Sequence, residues 1–234
     1  HKMIDRVDTE LEEKLEIAFD EKLGYLTACP SNVGTGMRAS AMLHLPGLVM
    51  SDQINKIINS VNKIGLAVRG LHGEGTEAMG NLFQVSNQTT LGETESEIIG
   101  RLNRVIEQII DHEQNARALL AQRKAITLHD QIGRAYGLLS HAYSISSKEA
   151  LNLLSIIKLG IDLAVFPDAH RFPVDELFIE TQPAHLQKGA QLQKMSSEER
   201  DSLRADLIRV KLSQVPQPDI SRLTISTPEQ PEKT

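Results

Sequence analysis

Tryptophan is missing from this 234-residue chain, aromatic residues make up only 3%, and there is one cysteine. So few rings argue against a surface that stacks nucleobases. A single cysteine excludes an internal disulfide and suits a reducing cytoplasm. No apolar run approaches the ~20 residues that a membrane helix needs, so no membrane span is expected. There is no basic excess either: 25 Lys and Arg face 31 Asp and Glu, a net charge of −6, and the pI is about 5.8. That balance disfavours a nucleic-acid partner. The chain opens His1-Lys2-Met3, without an initiator methionine at its first position and without the charged and apolar regions of a signal peptide. It reads as a fragment that begins inside a longer protein. What is present is 40% hydrophobic and 24% charged residues, which suits a globular protein of one large domain or two small ones.

The spacing predicts a helix over 9–23, with Thr9 and Glu12 at capping-box distance and Leu11, Leu15, Ala18 and Phe19 on one stripe. Residues 25–29 suggest a short strand, followed by a small-residue loop over 30–37. From 38 to 45 the pattern alternates, with Ala39, Ala41, Leu43 and Leu45 on one face and Ser40, Met42 and His44 on the other. A helix from Ser51 to Ile64 and strands at 66–71 and 81–86 follow. Ten of the 15 glycines lie from Gly24 to Gly92, so this stretch reads as strands and tight loops. Beyond Gly92 the period becomes helical. Thr94 and Glu97 cap a long helix through Ile98, Leu102, Val105 and Ile109. Helices are expected near 128–143, 147–160 and 174–181, and Ser196 with Glu199 opens one through Leu203, Leu207 and Val210. The last 19 residues, from Pro216, hold 4 of the 9 prolines and read as a disordered tail. Since the strands do not alternate regularly with crossover helices, the predicted class is α+β, a largely antiparallel sheet flanked by helices and followed by an all-helical C-terminal module.

Three clusters carry candidate chemistry. The first is Cys29-Pro30-Ser31, followed by Gly34, Gly36 and Arg38. A cysteine at a strand end, with Ser31 able to donate to its sulfur, is either a poised thiolate or a buried structural thiol, and spacing leaves both open. The second runs Arg69-Gly70-Leu71-His72-Gly73-Glu74-Gly75, an arginine and a carboxylate on a glycine-rich loop. It suits an anionic ligand, lacks the Gly-Lys-Ser/Thr of a phosphate-binding loop, and is equally compatible with a plain hairpin. The third is Arg200-Asp201-Ser202-Leu203-Arg204-Ala205, whose two arginines share a helix face and either grip an anion or form a solvated surface. His112, His129, His141, His170 and His185 have no partner at metal-ligand spacing, so no metal site is read from them.

Together the segments GYLTACPSNVGTGMRASAMLHLP at 24–46 and VRGLHGEGTEAMGNLFQVSNQTTLG at 68–92 resemble the phosphagen (ATP:guanido) kinase family, its reactive-cysteine loop and its mobile substrate loop. Within it the likeness is to the bacterial protein arginine kinases. Kinases of small guanidino compounds usually carry arginine at position 72, histidine at 75 and often histidine at 42, where this chain has His72, Gly75 and Met42. The RDSLRA segment at 200–205 matches the RDxxRA motif by which protein arginine kinases are thought to bind phosphoarginine.

The resemblance, over roughly residues 10–213, implies roles. Glu74 and Cys29 would be catalytic. Arg38, Ala39, Ser40, Ala41, Met42, Arg69, Gly70, Leu71, His72, Gly73 and Glu74 would face ATP, with Mg²⁺ as companion ion. Arg200, Asp201, Ser202, Leu203, Arg204 and Ala205 would form an allosteric phosphoarginine pocket. It further implies a catalytic portion over 1–125, a helical regulatory or dimerisation module over 126–214 and a tail over 215–234. Implied partners are proteins with exposed arginine, a second copy of the chain, an activator protein and a protease complex, in a bacterial cytoplasm. The alternatives are a kinase of free arginine or another small guanidino compound, and an inactive phosphoarginine-binding or dimerisation module. Family members have a further N-terminal domain that supplies phosphate-binding arginines, so this chain alone is expected to bind ATP weakly and turn over little.

Overall fold

The computed structural model describes residues 2–71, 78–191, 194–219 and 221. In chain order the main elements are α1 (Lys2–Glu12), β1 (Phe19–Asp20), β2 (Gly24–Tyr25), β3 (Ser40–His44), α2 (Pro46–Met50), α3 (Ile54–Lys63), β4 (Leu66–Gly70) and β5 (Leu82–Asn87). Among the described residues, helices alone follow: α4 (Glu95–Arg123), α5 (Ala125–His141), α6 (Ser147–Asp162), α7 (Arg171–Glu180), α8 (Pro183–Gly189) and α9 (Ser197–Leu212). Three sheet strands lie in the order β3-β5-β4. Main-chain bonds Asn87 to Ala39 and Leu45 to Asn81 bracket one pair, and Gln88 to Gly65 and Leu71 to Leu82 bracket the other. Numbering rises on one strand as it falls on its neighbour, so both pairs are antiparallel, as expected of the α+β class.

The chain divides into two compact units. One comprises His1–Met42, Ile57–Val68 and Gln84–Gln108; the other comprises Leu43–Lys56, Arg69–Phe83 and Ile109–Thr234. In the first, Ile98, Leu102 and Val105 of α4 are buried, as their spacing foretold, and the Thr94–Glu97 box forms in both directions. In the second, α6 packs against α5 and α7, and α9 against α5 and α8. Its core gathers Leu128, Ile132 and Leu139 of α5, Leu154 and Ile157 of α6, Leu177 of α7 and Ile208 and Leu212 of α9. Each such side chain contributes about 1.5–3 kcal/mol on burial.

Four local expectations are corrected. The first helix covers Lys2–Glu12 rather than 9–23, and Leu11, Leu15 and Phe19 stay exposed. Farther along, the Asp20 carboxylate accepts from the amides of Lys22 and Leu23, closing a turn between β1 and β2 inside the stretch expected to be helical. The expected strand over 25–29 shrinks to the Gly24–Tyr25 pair, because Pro30 opens a 3-10 turn. The helix expected from Ser51 starts only at Ile54, after Asp52 at φ 58, and the short α2 that Pro46 opens ahead of it was not foreseen. The short α8 was not foreseen. Val215 is buried and the Asp219 amide donates to Val165, so the chain past Pro216 is still tied to the helices there.

Candidate functional site

The cysteine loop is shaped by Thr90. Its buried hydroxyl donates to the carbonyls of Val33 (2.8 Å) and Ser31 (3.3 Å), and its own carbonyl accepts from Thr35. Gly34 lies against it at φ 116, where a Cβ would come within 2.1 Å of the Thr90 oxygen, so only glycine fits. Cys29 is held at the exposed start of this loop, with its Sγ 3.1 Å from the Ser31 hydroxyl. The Ser31 hydroxyl, and then the Ser31 amide, stabilise the thiolate and lower the thiol pKa below its ordinary value. The buried-thiol reading is therefore excluded: this sulfur is accessible and partly activated.

Arg38 precedes β3 and is exposed, its Nη2 donating to the buried Ser86 hydroxyl at 3.3 Å. Ala39 donates its amide to Asn87 Oδ1 at 2.8 Å, and Ser40 receives Gln84 Nε2 at 3.1 Å. Arg38, Ser40 and Met42 are exposed while Ala39 and Ala41 are half-buried, so the alternation read from sequence places the first three on one open face. Arg69 is exposed near the end of β4, and Gly70 and Leu71 after it are half-buried. His72, Gly73 and Glu74 lie outside the described residues. The sequence reading missed Ser86, Asn87 and Thr90, the polar residues that hold this segment. The signal was a polar run, 86–90, directly after an apolar strand.

The third cluster sits on α9, opened by the foreseen Ser196–Glu199 box. Arg204 is 1% exposed, so neither a solvated surface nor a free grip describes it. Its Nε donates to the Thr181 carbonyl (2.8 Å), and its Nη1 donates to the Ile145 carbonyl (2.7 Å) and to Asp201. Arg200 is half-buried and spends one Nη1 bond on the Met195 carbonyl. Asp201 is half-buried, Ser202 exposed and Ala205 buried. Leu203 faces a cleft of about 650 Å³ shared with Glu180, His185, Leu186 and Lys211.

Beyond the foreseen clusters, the second unit holds a polar network. Glu113 is 3% exposed and accepts from the amides of Gly47 and Leu48. Arg117 joins Glu113 (2.6 Å), Asp162 (2.7 Å) and the His44 carbonyl (3.2 Å), while Arg171 reaches Asp162 and Asp168. The His44 ring meets the Ser155 hydroxyl at 2.8 Å. Burial first, and then the charges of Arg117, Lys158 and Arg171, push the His44 pKa down to about 3, so the ring is neutral.

Residues 1–116 match the family described as ATP:guanido phosphotransferase, C-terminal catalytic domain, and residues 125–223 match the protein-arginine kinase McsB C-terminal domain. A protein-arginine kinase of Halothermothrix orenii is 51% identical over 207 residues, covering 88% of this chain and 59% of its own. One of Brevibacillus brevis is 50% identical over 207 residues, covering 88% and 58%. A crystal structure of lombricine kinase, 31% identical, covers 50% of this chain and 32% of its own with a TM-score of 0.42. The chain thus spans less than two thirds of the curated relatives it matches.

Proposed function

The chain belongs to the ATP:guanido phosphotransferase family, and we propose that it is the catalytic and C-terminal part of a protein-arginine kinase, which moves the γ-phosphoryl group of ATP onto arginine side chains of proteins. The observation that carries this reading is the tandem match in one chain, catalytic domain over 1–116 and protein-arginine kinase C-terminal domain over 125–223.

The residues present suit the chemistry. A guanidinium has a pKa above ~12 and is a poor nucleophile until one nitrogen is oriented and relieved of its proton. Cys29, accessible and partly activated, would face the guanidinium as thiolate, and Glu74 would take the proton. A nitrogen–phosphorus bond then forms as the bond from Pγ to the bridging oxygen breaks and ADP leaves. Such transfer needs mainly positioning and charge neutralisation. Arg38 and Arg69, exposed and with no carboxylate ion pair among the described residues, are suited to the phosphate oxygens. Mg²⁺ would be held mainly by the nucleotide phosphates, as is usual for this ion. Among the described residues no cluster of three His, Cys, Asp or Glu is placed to hold a metal.

In this reading residues 1–125 are catalytic, 126–214 form a regulatory and dimerising module with its phosphoarginine pocket at Arg200, and 215–234 are a tail. An activator protein and a protease complex would be partners of the whole protein in a bacterial cytoplasm. The test is to incubate the complete protein with ATP and either an unstructured arginine-rich protein or free arginine. Phosphoarginine on the protein is expected, with a loss of about a hundredfold or more on Glu74→Ala. Transfer to free arginine alone selects the small-guanidine kinase, and full activity of Glu74→Ala overturns the assigned base.

A further inference from the structure

We propose that Asn152 and Ser155, one turn apart on α6, are positioning residues for phosphoryl transfer: they hold the joined ends of β3 and β5, and so the end of β4 that pairs there through Leu71 and Leu82 and carries Arg69, Gly70 and Leu71. The proposal rests on the kinase reading above.

The ends of the two strands meet where the Leu45 amide donates to the Asn81 carbonyl at 2.9 Å. Around that bond α6 contributes two polar side chains. Asn152 Oδ1 accepts the Gly80 amide at 2.9 Å. The Ser155 hydroxyl, 0% exposed, receives Asn81 Nδ2 at 2.8 Å and meets the Nε2 of His44, the last residue of β3, also at 2.8 Å. A neutral imidazole has one ring nitrogen free to accept, and a serine hydroxyl can accept and donate at once, so one Ser155 side chain ties both strands. The backbone beside it turns sharply: Gly80 (φ 65) and Asn81 (φ 54) are consecutive left-handed residues, at no steric cost for the glycine and a small one for the asparagine. Helix α6 packs closely against this turn: a Cβ on Gly80 would come within 3.0 Å of the Leu151 carbonyl and 3.2 Å of the Phe178 ring. A helix serving only to cover the strands would present apolar groups here. This one presents an acceptor to a main-chain amide and a hydroxyl to two strand ends.

Asn152 itself is exposed, so its removal costs little apolar burial, and the stability it does cost comes from the buried Gly80 amide left without its acceptor. The test compares Asn152→Ala with Asn152→Asp, which keeps the acceptor oxygen, in the complete protein. Expected for Asn152→Ala, assayed well below its melting temperature, is a roughly tenfold fall in kcat with KM for ATP within about twofold, a melting temperature lowered by only a few degrees and faster amide exchange at Gly80. Asn152→Asp should restore most of the rate. Ser155→Ala should act in the same direction and more strongly, since it unties both strands. Wild-type kcat in Asn152→Ala, failure of Asn152→Asp to rescue, or a rate loss that only tracks a lowered melting temperature would each overturn the proposal alone. A wild-type protein inert toward every guanidine substrate would remove the kinase reading, and this proposal with it.

Discussion

Arg204 shows how far a single residue can depart from what its neighbours in sequence suggest. Spaced four from Arg200 on a charged helix, it reads as half of an anion grip, yet it is buried and bonded to two main-chain carbonyls and Asp201. Removing the cation leaves those acceptors dry and unpaired, so Arg204→Ala should cost about 3–5 kcal/mol in urea unfolding, and its effect on phosphoarginine would be mixed with that loss. Arg200→Ala is the cleaner probe. It should leave the urea midpoint nearly unchanged while weakening phosphoarginine binding by calorimetry, and unaltered affinity would return Arg200 to an ordinary surface role. His44 makes a second residue-scale case. Its pKa falls from an ordinary 6.5 to about 3 on folding, chiefly through burial. Below about pH 6.5 the unfolded chain takes up a proton that the folded protein refuses, so stability declines as pH falls from 6.5 toward 3. The slope approaches about 1.4 kcal/mol per pH unit. Urea midpoints between pH 7.5 and 4.5 should fall less steeply for His44→Gln than for wild type, and parallel slopes would refute the assignment.

Elements differ in how much of their cause is local. Helix α4 carries its own instructions, a Thr94–Glu97 box and a buried Ile98–Leu102–Val105–Ile109 stripe, and it forms as read. Helix α9 likewise starts at its Ser196–Glu199 box. Helix α2 does not start from a local cap. At five residues it is too short to stand alone, its Leu45 cap offers no side-chain bond, and its first amides are satisfied by Glu113, distant in sequence. Gly47 is required there because a Cβ would sit 2.9 Å from Arg117 Cγ and 3.0 Å from Glu113 Oε1. We expect Gly47→Ala to destabilise the protein by about 1–3 kcal/mol, an overpacking cost read as a lower urea midpoint. A neutral outcome would mean that the Glu113–Arg117 pair yields easily. Helix α1 fails in the opposite sense: it stops at Glu12, within the apparent stripe over 9–23, and part of the remainder forms the turn that Asp20 closes.

At the scale of the molecule, the two compact units each collect three separated stretches of chain, and no single cut near 125 separates them. The boundary between the two family matches does fall there, between residues 116 and 125. Family matches follow continuous sequence, whereas compactness follows contacts between segments such as 69–83 and the helices beyond 109. No helix among the described residues is long and apolar enough to cross a membrane. The family was legible because the segments around Cys29 and Arg69 resemble two of its loops in residue pattern and order. What holds those loops was not legible, since Thr90, Ser86 and Asn152 make bonds that reach well along the chain.

Local periodicity and short-range capping therefore determined from sequence alone the antiparallel strand segment and the long helices, while Cys29, Arg38 and Arg69 became candidates through their loops' residue types and the family resemblance. Tertiary structure alone decided that Cys29 is open to solvent, that Arg204 is locked inside, that Glu113 and Asn152 hold backbone far from them in the chain, and that Ser155 holds the side chains of His44 and Asn81. The physical reason is that helix and strand patterns arise from neighbours a few residues apart. The environment that buries a charge or supplies a missing acceptor is set only when distant segments pack together.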